Sequence, residues 1–199
     1  MKALRSCAFL LAAWLIGASV AVAEDQPSAA QMMDDLMYGR GPIGGPFTLT
    51  DHTGRARSDS EFRGRLMIVY FGYTFCPDVC PTDLQAITQA LNALGPLAAE
   101  VQPIFITIDP ARDTVVQMNL YASNFTPRLV ALTGTPQQVT DATRAYRVYF
   151  AKAKGENEDD YLMDHSGFIY LMGRDGRYLA HFGPDATADA MAATIKKYL

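Results

Sequence analysis

Two cysteines, Cys76 and Cys80 in Cys-Pro-Asp-Val-Cys, follow directly on the apolar run 66–73, and far downstream one histidine, His165, stands in Met-Asp-His-Ser-Gly. Thiolates are soft metal ligands and also the nucleophiles of disulfide exchange. Two of them with one imidazole therefore suit either soft-metal binding or thiol redox chemistry, and residue types alone leave both open. As ligands the three would form a low-coordinate site suited to Cu(I), with the imidazole also accommodating Cu(II). Structural zinc usually takes four protein ligands, one more than the sequence offers. As redox groups, the more exposed thiolate would attack a partner disulfide and the other would resolve the mixed disulfide. A structural disulfide is the plainer alternative, but a pair so close in sequence closes a very small loop and restrains little of the chain.

The prolines set the local geometry. Pro81 disfavours the helical region for Cys80 and has no N–H, so it suits the first position of a helix, with Cys80 near the N-cap and Asp83 in the first turn. That helix is predicted over 82–94, with Leu84, Ile87, Leu91 and Leu94 at helical spacing and Gly95-Pro96 ending it. Pro77-Asp78 suits a β-turn after Cys76. Both sulfurs then lie at the positive end of a helix, which lowers a thiol pKa and serves redox exchange and metal binding alike. Asp78 opposes that effect as a nearby negative charge, and turn formation is its plainer role. His165 directly precedes the strand-like run 168–172, and loops at strand ends would bring it toward the thiols. His52, in a hairpin-turn position, and His181, within an apolar strand pattern, read as ordinary surface or packed residues.

The elements that must position these groups alternate. The runs 66–72 and 103–109 read as strands covered on both faces, 47–54 as a short strand and hairpin, and 129–133 as a further strand. Asp113 is placed to cap a helix reaching Phe125, and Thr135 one over 136–146. Residues 148–153 are strand-like and 155–160 form an acidic loop. A hairpin over 168–172 and 178–182 turns at Asp175-Gly176. A helix over 185–198 closes the chain, with Ala188, Met191, Ala192 and Ile195 inward. This order implies an α/β layer fold with a mixed central sheet.

The N-terminus carries Lys2 and Arg5, an apolar stretch 7–20 and Ala21-Val22-Ala23, the layout of a secretory leader over 1–23. An uncleaved membrane tether through 8–23 is the alternative. Residues 24–43 read as a linker and 44–199 as the folded domain. Met32, Met33 and Met37 on the linker carry thioethers able to ligate copper, although packing is their simpler role. Cys7 leaves with the leader, so the mature chain keeps only the Cys76–Cys80 pair. Its charged residues become 15 basic against 21 acidic, from 17 against 21 in the whole chain. With no basic patch, nucleic acid is excluded as a partner. The expected location is the bacterial periplasm, soluble or tethered to the inner membrane.

Three segments carry a family resemblance: Tyr70-Phe-Gly-Tyr-Thr-Phe-Cys-Pro-Asp-Val-Cys-Pro-Thr-Asp-Leu84, Ile108-Asp-Pro-Ala-Arg-Asp-Thr114 and Asp164-His-Ser-Gly-Phe-Ile-Tyr-Leu171. In this order they resemble the SCO/SenC family of copper-binding proteins, from about Gly44 to the C-terminus. The resemblance implies a thioredoxin-like fold with an added N-terminal β-hairpin, and one copper bound by Cys76, Cys80 and His165. It implies delivery of that copper to the binuclear centre of cytochrome c oxidase subunit II, or to another copper-accepting exported protein. Thiol–disulfide oxidoreductase activity on the cysteines of such a target, with Cys76 and Cys80 as the redox pair, is the alternative. Asp109 and Asp113 belong to the family pattern, and helix capping accounts for them here. Ordinary thioredoxins have two residues between their cysteines and a proline before the later strand; this chain has three between its cysteines, and His165 near that strand.

Overall fold

The computed structural model describes residues 42–153 and 161–199. The expected leader, the linker methionines and the acidic loop lie outside the described residues.

The strand β3 (Leu66–Gly72) is the centre of the molecule, and every one of its residues is buried. That is the result a continuous apolar run demands, since a strand with no polar face must be covered on both sides. It follows an N-terminal hairpin of β1 (Thr48–Asp51) and β2 (Ala56–Ser58). From β3 the chain passes through α1 (Val79–Leu94) to β4 (Val101–Thr107), and then through α2 (Val115–Ala122) to β5 (Val130–Thr133). These three strands are parallel. After α3 (Pro136–Ala145), β6 (Phe150–Lys152) and β7 (Met163–His165), β8 (Ile169–Met172) re-enters antiparallel to β3. A hairpin to β9 (Tyr178–Phe182) and the helix α4 (Ala188–Ile195) complete the chain.

The sheet order is β2-β1-β5-β4-β3-β8-β9, with β6 and β7 forming a separate two-stranded ribbon. A mixed sheet flanked by helices, with an added N-terminal hairpin, is a thioredoxin-like fold. The alternation of β3 divides its core in two. Tyr70 stacks on Phe105 at 6.0 Å between centroids, and Phe105 meets Tyr121 of α2 at 5.6 Å. On the opposite face Phe71 packs against Tyr146 at 5.3 Å and edge-on to Tyr170 at 6.3 Å.

One pairing decides where chemistry can occur. Because β8 runs against β3, with Tyr70 opposite Ile169, the end of β3 and the start of β8 share one edge of the sheet. The residues just after β3 carry the thiols, and those just before β8 carry His165. Register thus brings these sequence-distant segments to the same end of the sheet. Among the described residues no helix is long and apolar enough to cross a membrane.

Candidate metal centre

The cysteines sit one turn apart at the start of α1, but not where the prolines suggested. The helix begins at Val79 with Asp78 as its N-cap, so Cys80 is its second residue, Pro81 its third and Asp83 lies beyond the first turn. A proline is tolerated there because the first four N–H groups of a helix have no intrahelical acceptor. One of those groups has a use: the Cys80 N–H donates to Cys76 Sγ at 3.4 Å. The helix start thus supplies a hydrogen bond to sulfur as well as a favourable field.

Both thiols are free, with Cys76 slightly exposed at 9% and Cys80 fully buried. A hydrogen bond from the Cys80 thiol holds Cys76 well below the usual thiol range; burial opposes this, while His165 and the Asp78 and Cys80 amides reinforce it. Cys80 moves up, because it hydrogen-bonds to Cys76 and because it is buried. The pair therefore loses its first proton at Cys76. Alkylation by a small haloacetamide should label Cys76 far faster than Cys80. Its rate should stay nearly level from about pH 8 to about pH 6, since a lowered pKa keeps the thiolate populated well below the usual value near 8.5. A rate that falls about tenfold per pH unit across that range would contradict this assignment.

His165 reaches the pair. Its Nε2 lies 3.6 Å from Cys80 Sγ, and its Nδ1 is 3.2 Å from the Ser166 carbonyl. A carbonyl only accepts, so Nδ1 carries a proton and donates, and Nε2 is the nitrogen that faces sulfur. Tyr70 and Tyr73 stand in T-shaped contact with the imidazole at centroid distances of 6.5 and 6.2 Å. His165 is not in a loop: it ends β7, opposite Phe150 of β6. The other two histidines are occupied elsewhere. His52 Nδ1 accepts from the Ala131 N–H at 3.2 Å, and His181 Nδ1 pairs with the Tyr178 hydroxyl at 2.5 Å.

Cys76 and His165 line a cleft of about 710 Å³, together with Val79, Asp83, Met163 and Asp185. Phe75, Val79 and Leu162 around it are each about half exposed. Burial raises the Asp83 carboxyl at its wall. Among the described residues no three Cys, His, Asp or Glu side chains stand close enough together to hold a metal ion as they are placed. The Cys76 sulfur and the His165 imidazole thus face an open cleft with an approach for an incoming group, and the Cys80 sulfur is buried behind them.

The aspartates of the second segment do not cap a helix. Thr114 is the N-cap of α2, accepting from the Gln117 N–H at 3.3 Å. Asp113 is fully buried, and its carboxyl accepts from the Thr74 N–H at 3.1 Å and from the Thr74 and Thr107 hydroxyls at 2.6 Å each. It thereby fixes the loop two residues ahead of Cys76. Gly72 is a second contributor that sequence reading missed. A Cβ placed on it would lie 2.8 Å from Cys80 Sγ and 3.0 Å from the Phe105 ring. Gly72→Ala should cost about 1–3 kcal/mol in denaturant unfolding and displace Cys80. Unchanged stability would show that the helix start has slack.

A model described as SCO1/SenC matches residues 37–199. The human mitochondrial SCO1 homolog is 39% identical over 163 residues, 81% of this chain and 54% of the relative, so the chain spans about half the length of that protein. The structure of Bradyrhizobium japonicum ScoI with copper bound shares the fold at a TM-score of 0.74 and 46% identity, over 79% of this chain and 99% of that one. Yeast Sco1 with copper bound also gives 0.74, at 37% identity, covering 79% and 88% of the two chains. With its folded region matched throughout and its sheet shared with these structures, the chain belongs to the SCO1/SenC family.

Proposed function

We propose that this protein is an exported copper carrier. It binds one ion through Cys76, Cys80 and His165 Nε2 and delivers it to the binuclear copper centre of cytochrome c oxidase subunit II. The observation that carries the reading is the approach of Cys80 Sγ and His165 Nε2 to 3.6 Å across 85 positions of sequence, with Nδ1 already committed to a carbonyl. A histidine whose other nitrogen is fixed by a hydrogen bond is the usual form of a metal ligand. Two thiolates and an imidazole match the soft, low-coordinate preference of Cu(I). The copper-bound relatives that share this fold support the same choice.

Delivery follows from the coordination number. A three-coordinate ion has a vacancy, so a thiol or imidazole of the acceptor enters through the cleft before a carrier ligand leaves. Oxidation of the pair to a disulfide removes both thiolates and with them tight binding. We place the protein in the bacterial periplasm, exported by its leader 1–23, with a tether through 8–23 as the alternative to cleavage.

The lowered Cys76 thiol supports a second reading, thiol–disulfide oxidoreductase. Cys76 thiolate attacks a partner disulfide and expels one partner thiolate. Cys80 then loses its proton and attacks Cys76 sulfur, forming the Cys76–Cys80 disulfide and expelling the second thiolate. The two readings separate when the copper-loaded, reduced protein is mixed with a soluble copper-binding fragment of subunit II. The carrier reading predicts transfer of one copper per protein to a reduced fragment. The redox reading predicts no transfer, and reduction of an oxidised fragment by the copper-free protein even when His165 is replaced by Ala.

A further inference from the structure

We propose that Arg112 is a positioning residue that latches the His165-bearing strand to the cysteine loop, an inference that rests on the metal-site reading above. Among the described residues the strand β7 has a ladder only with β6, and this ribbon is not part of the central sheet. Something else must fix His165 relative to the thiols, and the contacts converge on one guanidinium. Arg112 Nε donates to Asp109 Oδ2 at 2.5 Å, and Nη1 donates to the Tyr161 carbonyl at 2.9 Å. The Tyr161 hydroxyl donates back to Asp109 Oδ1 at 2.9 Å, which closes a ring of three residues.

The faces of the guanidinium are used as well. Its carbon lies 3.6 Å from the Tyr161 ring centroid, 4.7 Å from that of Phe75 and 5.7 Å from that of Tyr73. Planar, delocalised and weakly hydrated, Arg alone among cations combines such stacking with forked hydrogen bonds. Phe75 adjoins Cys76, and Tyr161 lies just ahead of β7. Tyr73 adds a parallel tie, because its hydroxyl accepts the Met163 N–H at 3.2 Å. The base of the latch is rigid: the Asp109 carbonyl accepts from the Asp113 N–H at 2.9 Å, and the Asp109 N–H donates to the Thr107 hydroxyl at 2.9 Å. Arg112 therefore joins three segments, 73–76, 109–113 and 161–163. A shift of β7 away from the sheet would carry His165 Nε2 away from Cys80.

Arg112→Ala, Arg112→Lys and the milder Tyr73→Phe test the latch through two readouts. Hydrogen exchange of the Met163 amide in the metal-free protein should accelerate about tenfold or more in each, while amides of β3 and β4 keep their protection. Cu(I) affinity should fall about tenfold in both Arg112 variants, the size of effect seen when a metal ligand loses its outer support. Lysine should fail to rescue it. In a His165→Ala background the same changes should have almost no further effect on affinity. An equal loss in that background, or exchange at Met163 that matches the parent, overturns the proposal. If none of the proteins binds copper the metal reading fails, and the exchange result still decides whether the latch exists.

Discussion

Replacing Cys80 with serine is expected to weaken Cu(I) binding about a thousandfold or more, the largest effect of any single change at this site. Structural zinc in small peptides is bound with about 10–16 kcal/mol over four ligands, so one ligand is worth roughly 3 kcal/mol, or about a hundredfold. A soft ion loses more when sulfur becomes a hard hydroxyl. Cys80 is also the hub of the group: its sulfur faces His165 Nε2 at 3.6 Å and hydrogen-bonds to Cys76. His165→Ala should cost about a hundredfold, because it removes a borderline ligand and leaves both thiolates in place. Anaerobic competition against a Cu(I) chelator reads both. Losses of equal size for the two variants would contradict the ranking, and affinity retained in Cys80→Ser would remove Cys80 from the ligand set.

The second large effect is on folding. Asp113→Ala should lower stability by about 3–5 kcal/mol, because it strands three donors at once, the N–H and hydroxyl of half-buried Thr74 and the hydroxyl of buried Thr107. For a chain of this size that is a fall of about 10 °C or more in Tm. The pH dependence carries its own signature. Burial raises the Asp113 carboxyl above the usual aspartate range despite these hydrogen bonds. A group raised in the folded state contributes stability that is full below its unfolded pKa and declines as pH rises through the folded value. The gap between parent and variant should therefore narrow as pH rises through that window. Thermal unfolding of both proteins across the mildly acidic range checks it; a gap that widens with pH would mean that the ionised form is the better stabilised one.

Much of the architecture was legible because it is written in local pattern. The apolar run of β3, the Asp175-Gly176 turn between β8 and β9, and Thr135 ahead of α3 each specify their element without reference to the rest of the chain. In α3 even the cap is explicit, since Thr135 and Gln138 satisfy each other's backbone N–H groups. The cysteines and His165 were legible by type, and the antiparallel entry of β8 beside β3 supplied the convergence that spacing alone left open.

What was missed depended on distant partners. The strand β7 has three residues and no periodicity of its own; it exists because β6 pairs with it. Asp113 and Thr114 are adjacent residues that can each cap a helix, and only the hydrogen bonds that commit Asp113 to Thr74 and Thr107 assign the cap to Thr114. The start of α1 was misplaced because a proline marks the first turn of a helix rather than one position within it. The closing helix begins at Ala188, capped by Thr187, since Asp185 has a positive φ of 67° and lies outside it. Gly72 and Arg112 stand in segments that carry the resemblance, but their roles lie wholly in what they touch.

X-ray absorption at the copper edge of the reduced, singly loaded protein tests the central claim most directly. The account predicts a first shell of two sulfurs and one nitrogen, with the nitrogen lost in His165→Ala and one sulfur lost in Cys76→Ser. A shell made only of sulfur and unchanged in His165→Ala would contradict it, leaving Cys76 and Cys80 as a redox pair beside an imidazole that binds no metal.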